Sequence, residues 1–193
     1  MIETKVIKST ARGKISGFAG SAMLGTLIMM LIMGAAGSLY GLALLVVGPM
    51  NVGYVLFCRK IMDEKVADYN QLFAGFSDYV NNLVAGLVYT LIVALGFILL
   101  IVPGIWLACG LSLTFMIMSE NKGMSGIDAL RMSWAMMQGY KWKYFCLNLR
   151  FIGWALLSIL TLGILTLWIQ PWMQMSFIEF YRQVSDEYCK EDK

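Results

Sequence analysis

Three long runs of this chain carry no charged residue: 44 residues from Ile15 to Cys58, 41 from Tyr79 to Ser119 and 28 from Phe151 to Ile178. A helix that crosses a bilayer needs about 20 mainly apolar residues. The first two runs are therefore each long enough for two crossings. The third holds two if it is taken from Tyr144 to Tyr181, with Arg150 and Glu179 near the membrane edge. A chain of this pattern is an integral membrane protein.

Each run breaks near its middle at small or helix-breaking residues: Gly34-Ala35-Ala36-Gly37-Ser38, Val102-Pro103-Gly104 and Thr161-Leu162-Gly163. The pattern predicts an all-α, polytopic fold of six transmembrane helices in three hairpins: 17–38 with 41–60, 81–101 with 104–119, and 144–161 with 164–182. All 15 Lys and Arg residues fall outside the three hairpin turns, on one side of this arrangement. Cytoplasmic loops are those enriched in Lys and Arg. Both termini are therefore expected in the cytoplasm. The chain then reads as one membrane domain: a cytoplasmic arm 1–16, hairpin one 17–60, an inner linker 61–80, hairpin two 81–119, an inner interfacial helix within 120–143, hairpin three 144–182 and a cytoplasmic tail 183–193. An alternative keeps the hairpins but has them dip into one leaflet, although about 20 residues per arm suffice to cross.

Of the 193 residues 59% are hydrophobic and 14% are charged, and histidine is absent. Histidine-based catalysis, His metal ligation and the common hydrolytic triad are excluded. Cys58, Cys109, Cys146 and Cys189 stand alone, without a CxxC pair, so no disulfide framework or metal site is expected. The methionine groups Met29/Met30/Met33, Met116/Met118, Met132/Met136/Met137 and Met173/Met175 suit flexible packing better than copper(I), since no His or paired Cys joins them. Asp63, Glu64, Asp68 and Asp78 are the acidic candidates at the inner surface, and they read most simply as solvated loop charges. No cofactor is implied.

In the second inner linker, Ser125-Gly126-Ile127-Asp128 resembles a capping box. Ile127, Leu130, Trp134 and Met137 then share one side of a helix ending near Gly139, which suggests a helix lying at the interface. Tyr140-Lys141-Trp142-Lys143-Tyr144 follows. Alternating aromatics and lysines belong at headgroup level, so Lys141, Trp142 and Lys143 are candidates for lipid headgroups, or for a plain anchor. The run abuts a span and the net charge is only +3, so nucleic acid is not an expected partner.

Hairpins one and three share a pattern. Gly41 lies eight residues before Pro49 and Gly163 eight before Pro171; Phe57-Cys58-Arg59 parallels Phe180-Tyr181-Arg182. Proline cannot donate to the carbonyl four residues earlier. Asn51 and Gln174 lie close to the two kinks, and kinked helices paired in a repeat line substrate sites in some transporters. Kinks satisfied by neighbouring helices are the plainer reading. Gly17, Gly20, Gly25, Gly34, Gly37 and Gly41 are expected to let helices approach closely. Arg150 and Glu179, the most deeply placed charges of hairpin three, are expected to pair.

Several segments, taken in order, carry a resemblance. Leu72-Phe73-Ala74-Gly75-Phe76, Val102-Pro103-Gly104-Ile105, Ala129-Leu130-Arg131-Met132-Ser133, Gly139 to Phe145, Phe151-Ile152-Gly153-Trp154, Leu160-Thr161-Leu162-Gly163 and Phe180-Tyr181 follow one another along the chain. In this order the chain resembles the bacterial membrane-protein family called domain of unknown function 975. That family is distantly similar to the membrane domain attached to some glycerophosphodiester phosphodiesterases. The resemblance implies a multi-span helical fold and supplies no catalytic residue.

The expected function is accordingly that of a non-enzymatic, lipid-associated accessory or membrane-organising factor of the bacterial cytoplasmic membrane. Its expected partners are membrane lipids, with a second copy or another membrane protein beside them. The alternative is a small transporter or channel using the proline-kinked helices.

Overall fold

The computed structural model describes residues 19–38, 42–161 and 164–191, and every regular element among them is a helix. The arm 1–16, Gly17, Gly41 and the turn at Gly163 lie outside the described residues. The helices are α1 (Ala19–Ser38), α2 (Leu42–Glu64), α3 (Gln71–Ala74), α4 (Tyr79–Leu99), α5 (Ile101–Gly110), α6 (Thr114–Glu120), α7 (Gly126–Met136), α8 (Lys141–Leu160) and α9 (Ile164–Glu191).

Three stretches among the described residues are long and apolar enough to cross a membrane: Leu44–Glu64, Tyr79–Leu99 and Ile101–Glu120; Gly20–Ala35 is a shorter apolar helix. Six crossings are not shown. Helices α8 and α9 have the length, but Lys141, Lys143, Asn148 and Arg150 dilute the first, and Gln170, Gln174, Glu179 and Arg182 the second.

Helices α1 and α2 pack side by side. Gly25 faces the ring of Phe57, and the hydroxyls of Thr26 and Tyr54 share a hydrogen bond of 2.9 Å. The inner linker is not a free loop. It returns along α2: Lys60 binds Asp68 at 2.9 Å, Tyr69 stacks on Phe57 at 5.6 Å, Gly53 abuts the Leu72 carbonyl, and Gly75 abuts the Pro49 carbonyl. Helix α4 then meets α2 at two glycines. A Cβ on Gly86 would lie 2.6 Å from the Gly48 Cα, and one on Gly48 would collide with the Asn82 carbonyl. Close approach therefore falls on Gly48 and Gly86 and, against the Phe57 ring, on the expected Gly25, whereas a Cβ on Gly20, Gly34 or Gly37 meets nothing among the described residues within 4 Å. Backbones meet where two helices cross, and small residues alone do not create a crossing.

A single extended residue, Leu100 (φ −168°, ψ 147°), joins α4 to α5. Its N–H donates to the Gly96 carbonyl at 3.1 Å, and its carbonyl accepts from the Gly104 N–H at 3.2 Å. Both backbone groups of Leu100 are thus paired. The second arm is interrupted between Gly110 and Thr114. Ser133 of α7 bridges that interruption: its hydroxyl donates to the Gly110 carbonyl at 3.0 Å and accepts from the Leu113 N–H at 3.2 Å.

Helix α7 begins after Ser125 as expected, but the serine side chain makes no capping bond. Its buried residues are Gly126, Ala129, Leu130, Ser133 and Met136, whereas Ile127 is exposed. Of the expected stripe, Leu130 and Met137 are buried and Trp134 half-buried, and Ile127 alone lies outside the buried face. That face is set by packing on α4, where a Cβ on Gly126 would lie 2.6 Å from the Asn81 carbonyl oxygen. Helices α8 and α9 are zipped by aromatics, with Tyr144 on Phe177 (5.2 Å) and Phe151 on Trp172 (5.7 Å).

Candidate functional site

Gly139 has φ +81°, a left-handed conformation that glycine adopts freely, and it turns the chain from α7 into α8. The turn brings Lys141 under two indoles. Its Nζ lies 3.2 Å from the ring centroid of Trp134 and 5.3 Å from that of Trp106. Gly110 makes the room: a Cβ there would lie 2.5 Å from Trp134 and 3.3 Å from the Lys141 Cε. Lys141 is only 8% exposed. The structure lays the charge of Lys141, a headgroup candidate, on aromatic faces, an arrangement favoured once the ammonium is partly desolvated. Burial also draws its pKa below the ordinary lysine value.

The neighbouring candidates differ. Trp142 is exposed and lies 5.5 Å from the Phe145 ring. Lys143 is half-buried, with its Nζ 5.0 Å from the Tyr140 ring. The Tyr140 hydroxyl donates to Glu187 at 2.5 Å, and that bond holds the Glu187 carboxyl below its usual range.

Two cavities meet at Trp106, Lys141 and Trp142. One, about 180 Å³, is lined further by Val102, Ile105, Cys109 and Phe145 and is apolar. The other, about 270 Å³, is completed by Gln138 and Gly139. An apolar slot and a more polar one thus share a wall that carries a fixed positive charge.

A second cluster joins the ends of three helices. Arg59 of α2 reaches Ser119 at 3.1 Å and Glu120 at 2.5 Å, and the Tyr181 hydroxyl donates to the other Glu120 oxygen at 2.5 Å. Arg182 of α9 pairs with Asp63 of α2 at 2.6 Å. The acidic candidates are engaged here and nearby. Asp63 meets Arg182, Asp68 meets Lys60, Glu64 lies 3.9 Å from Lys60, and Asp78 accepts from the Gly123 N–H.

Of the two charges expected to pair, the structure places Arg150 at an exposed position of α8 and Glu179 at a half-buried one of α9. Depth alone does not fix the facing of two helices. Pro49 and Pro171 are both buried inside their helices, each seven residues after the helix begins. The Asn51 amide donates to the Val47 carbonyl at 2.7 Å, and Gln174 is half-buried; neither lines either of these cavities.

Trp106 and Glu120 were not singled out from sequence, and Trp134 entered only as part of the apolar stripe of the interfacial helix. For Glu120 a signal exists. Arg59 and Glu120 are the first charges after the two longest charge-free runs, so two helices entering from one side would bring them to one level. For the indoles there is none, because their meeting depends on the α7 turn.

No curated protein and no solved structure matches the chain. Residues 87–188, which include both indoles, Lys141 and the Glu120 cluster's Tyr181, match the model of the family described as protein of unknown function (DUF975). That match covers more than half of the sequence, and the chain belongs to this family.

Proposed function

We propose that the chain is a multi-pass protein of the bacterial cytoplasmic membrane, with both termini in the cytoplasm, acting as a non-enzymatic, lipid-associated accessory or organising factor. The observation that supports the lipid role is the paired cavity at Trp106, Lys141 and Trp142. An amphiphile has an apolar tail and a polar head, and the two slots offer one environment for each. The tail lies on Val102, Ile105 and Phe145; the head meets Gln138, the Gly139 backbone and the edge of the Lys141 charge. The placement of Lys and Arg supports the orientation.

The test is photocrosslinking in native membranes with a phosphatidylglycerol that carries a diazirine in its acyl chain. Labelling concentrated in peptides containing 102–109 and 141–145, and reduced in Trp142→Ala, supports the reading. Uniform labelling of the lipid-facing surface, unchanged by the substitution, rejects it.

The matching offsets of Pro49 and Pro171 favour the transporter reading, with two kinked helices flanking a pathway. Solute uptake by proteoliposomes that is lost in Asn51→Ala and Gln174→Ala would establish that reading over the lipid one.

A further inference from the structure

The turn between α4 and α5 is the most exposed apolar feature of the described residues. Phe97, Ile98, Leu99, Leu100, Ile101 and Val102 are between 45% and 80% exposed, and no polar side chain interrupts them. Going outward from this tip, the first hydroxyl residues are Thr90 on one arm and Ser112 on the other. A turn that emerged on the far face of the membrane would hold six contiguous apolar side chains against headgroups and water. In the turn the Leu100 N–H and carbonyl are both bonded, and Pro103 carries no N–H.

The contacts of α8 fix how far the tip can reach. Its first turns lie against the first turns of α5, since Val102, Ile105, Trp142 and Phe145 line one cavity and Lys141 rests on Trp106. The same start of α8 is tied to the charged end of the molecule through Tyr140 and Glu187, where α9 also carries Tyr181 to Glu120 and Arg182 to Asp63. Trp106 is six residues from Leu100, about 9 Å along a helix. The hydrocarbon is about 30 Å thick. With the charged end at the cytoplasmic headgroups, the tip stops well short of the other side.

We infer that the α4–α5 hairpin is re-entrant: it enters from the cytoplasmic side and leaves the tip Phe97–Val102 among the acyl chains, with the connection at Leu100 never reaching the periplasm. The inference rests on the proposed membrane orientation and replaces hairpin two's two crossings with none. Helix α4, 21 residues and about 31 Å long, then lies inclined to the membrane normal. Its exposed leucines Leu87, Leu91 and Leu95, four residues apart, form the flank that meets lipid along its length.

The test is cysteine labelling of Ile98→Cys against Lys122→Cys, each in the native sequence, with modified peptides identified by mass spectrometry. A membrane-impermeant maleimide is added to intact spheroplasts and, separately, to inside-out vesicles. Thiolate formation is suppressed in hydrocarbon, so a thiol at 98 should react roughly tenfold or more slowly than one at 122 from either side. A nitroxide on the same cysteine, in proteoliposomes, should meet oxygen in preference to a water-soluble nickel chelate. Rapid labelling at 98 from the spheroplast exterior overturns the inference and leaves the lipid role standing. Rapid labelling at 98 in vesicles, with the protein removed from them by carbonate, overturns the inference together with the membrane reading. Because Ile98 is 80% exposed, the substitution removes no packing, and the nitroxide measurement gives a second answer if maleimide access is poor.

Discussion

The Arg59 guanidinium lies 2.5 Å from the Glu120 carboxylate, linking the end of α2 to the end of α6 across 61 residues of sequence. Tyr181 supplies a second donor to the same carboxylate, so α9 is bound to the pair. Both side chains retain some exposure, which screens the charge interaction. Glu120→Ala should therefore cost about 1–2 kcal/mol, and the double-mutant cycle with Arg59→Ala should give a coupling of about 1 kcal/mol, read from unfolding in mild detergent. Additive losses would remove Arg59 and Glu120 from one network.

Ser133 is fully buried and serves two backbone groups at the interruption between α5 and α6. Ser133→Ala leaves the Gly110 carbonyl and the Leu113 N–H without that partner. The expected loss is about 1–3 kcal/mol. Ser133→Cys, which keeps a weak donor and acceptor, should recover part of it. A neutral Ser133→Ala would mean that the interruption is held by other contacts.

Glycine substitutions should separate by place. Gly86→Ala drives a methyl into the Gly48 backbone, which cannot rotate away, and should cost about 1–3 kcal/mol or more. Gly34→Ala in α1 meets nothing among the described residues within 4 Å and should be neutral or stabilising by up to about 1 kcal/mol, through helix propensity. Melting temperatures in one detergent compare the two directly, and equal effects would argue against the α2–α4 crossing.

Asp68 accepts from Lys60, Gln71 and its own loop at Asn70, and these bonds lower its carboxyl pKa from the ordinary 3.8. A lowered folded value contributes stability that is complete above the unfolded value, about pH 4, and is lost as pH falls through the folded value. The difference in melting temperature between the parent and Asp68→Asn should be constant from neutrality to about pH 4 and shrink below it. A difference that grows on acidification has the wrong sign for this pairing.

How far the fold is legible in the sequence depends on which interaction places each part. Helix in hairpin one follows from the apolar runs: of the expected arms 17–38 and 41–60, the described residues 19–38 and 42–60 are helical, and the second helix runs on to Glu64. The three-dimensional course of the linkers does not follow from them. Gly53, Gly75 and Gly126 are small residues whose importance arises only where another backbone lies against them. Lys141 illustrates the same limit at the candidate site. Its local pattern, a lysine between aromatics, is that of a headgroup contact, yet its partners Trp106 and Trp134 come from 35 and 7 residues earlier. For Arg150 and Glu179 equal depth sets height and leaves rotation about each helix axis free, so the sequence does not say whether they face one another. Membrane character was the most legible property, since it depends on the composition of each segment and on no distant partner.

The Lys141 cage also bears on the order in which the chain is assembled. Trp106 and Trp134 both precede Lys141, so both indoles have left the ribosome when the lysine emerges, and the cation can be sheltered as soon as α8 begins. Glu120 is different. Arg59 is already synthesised and available to it, but Tyr181 arrives only after 60 further residues. Chain order thus makes every partner of Lys141 available when α8 begins, whereas the Glu120 cluster is complete only with the last helix.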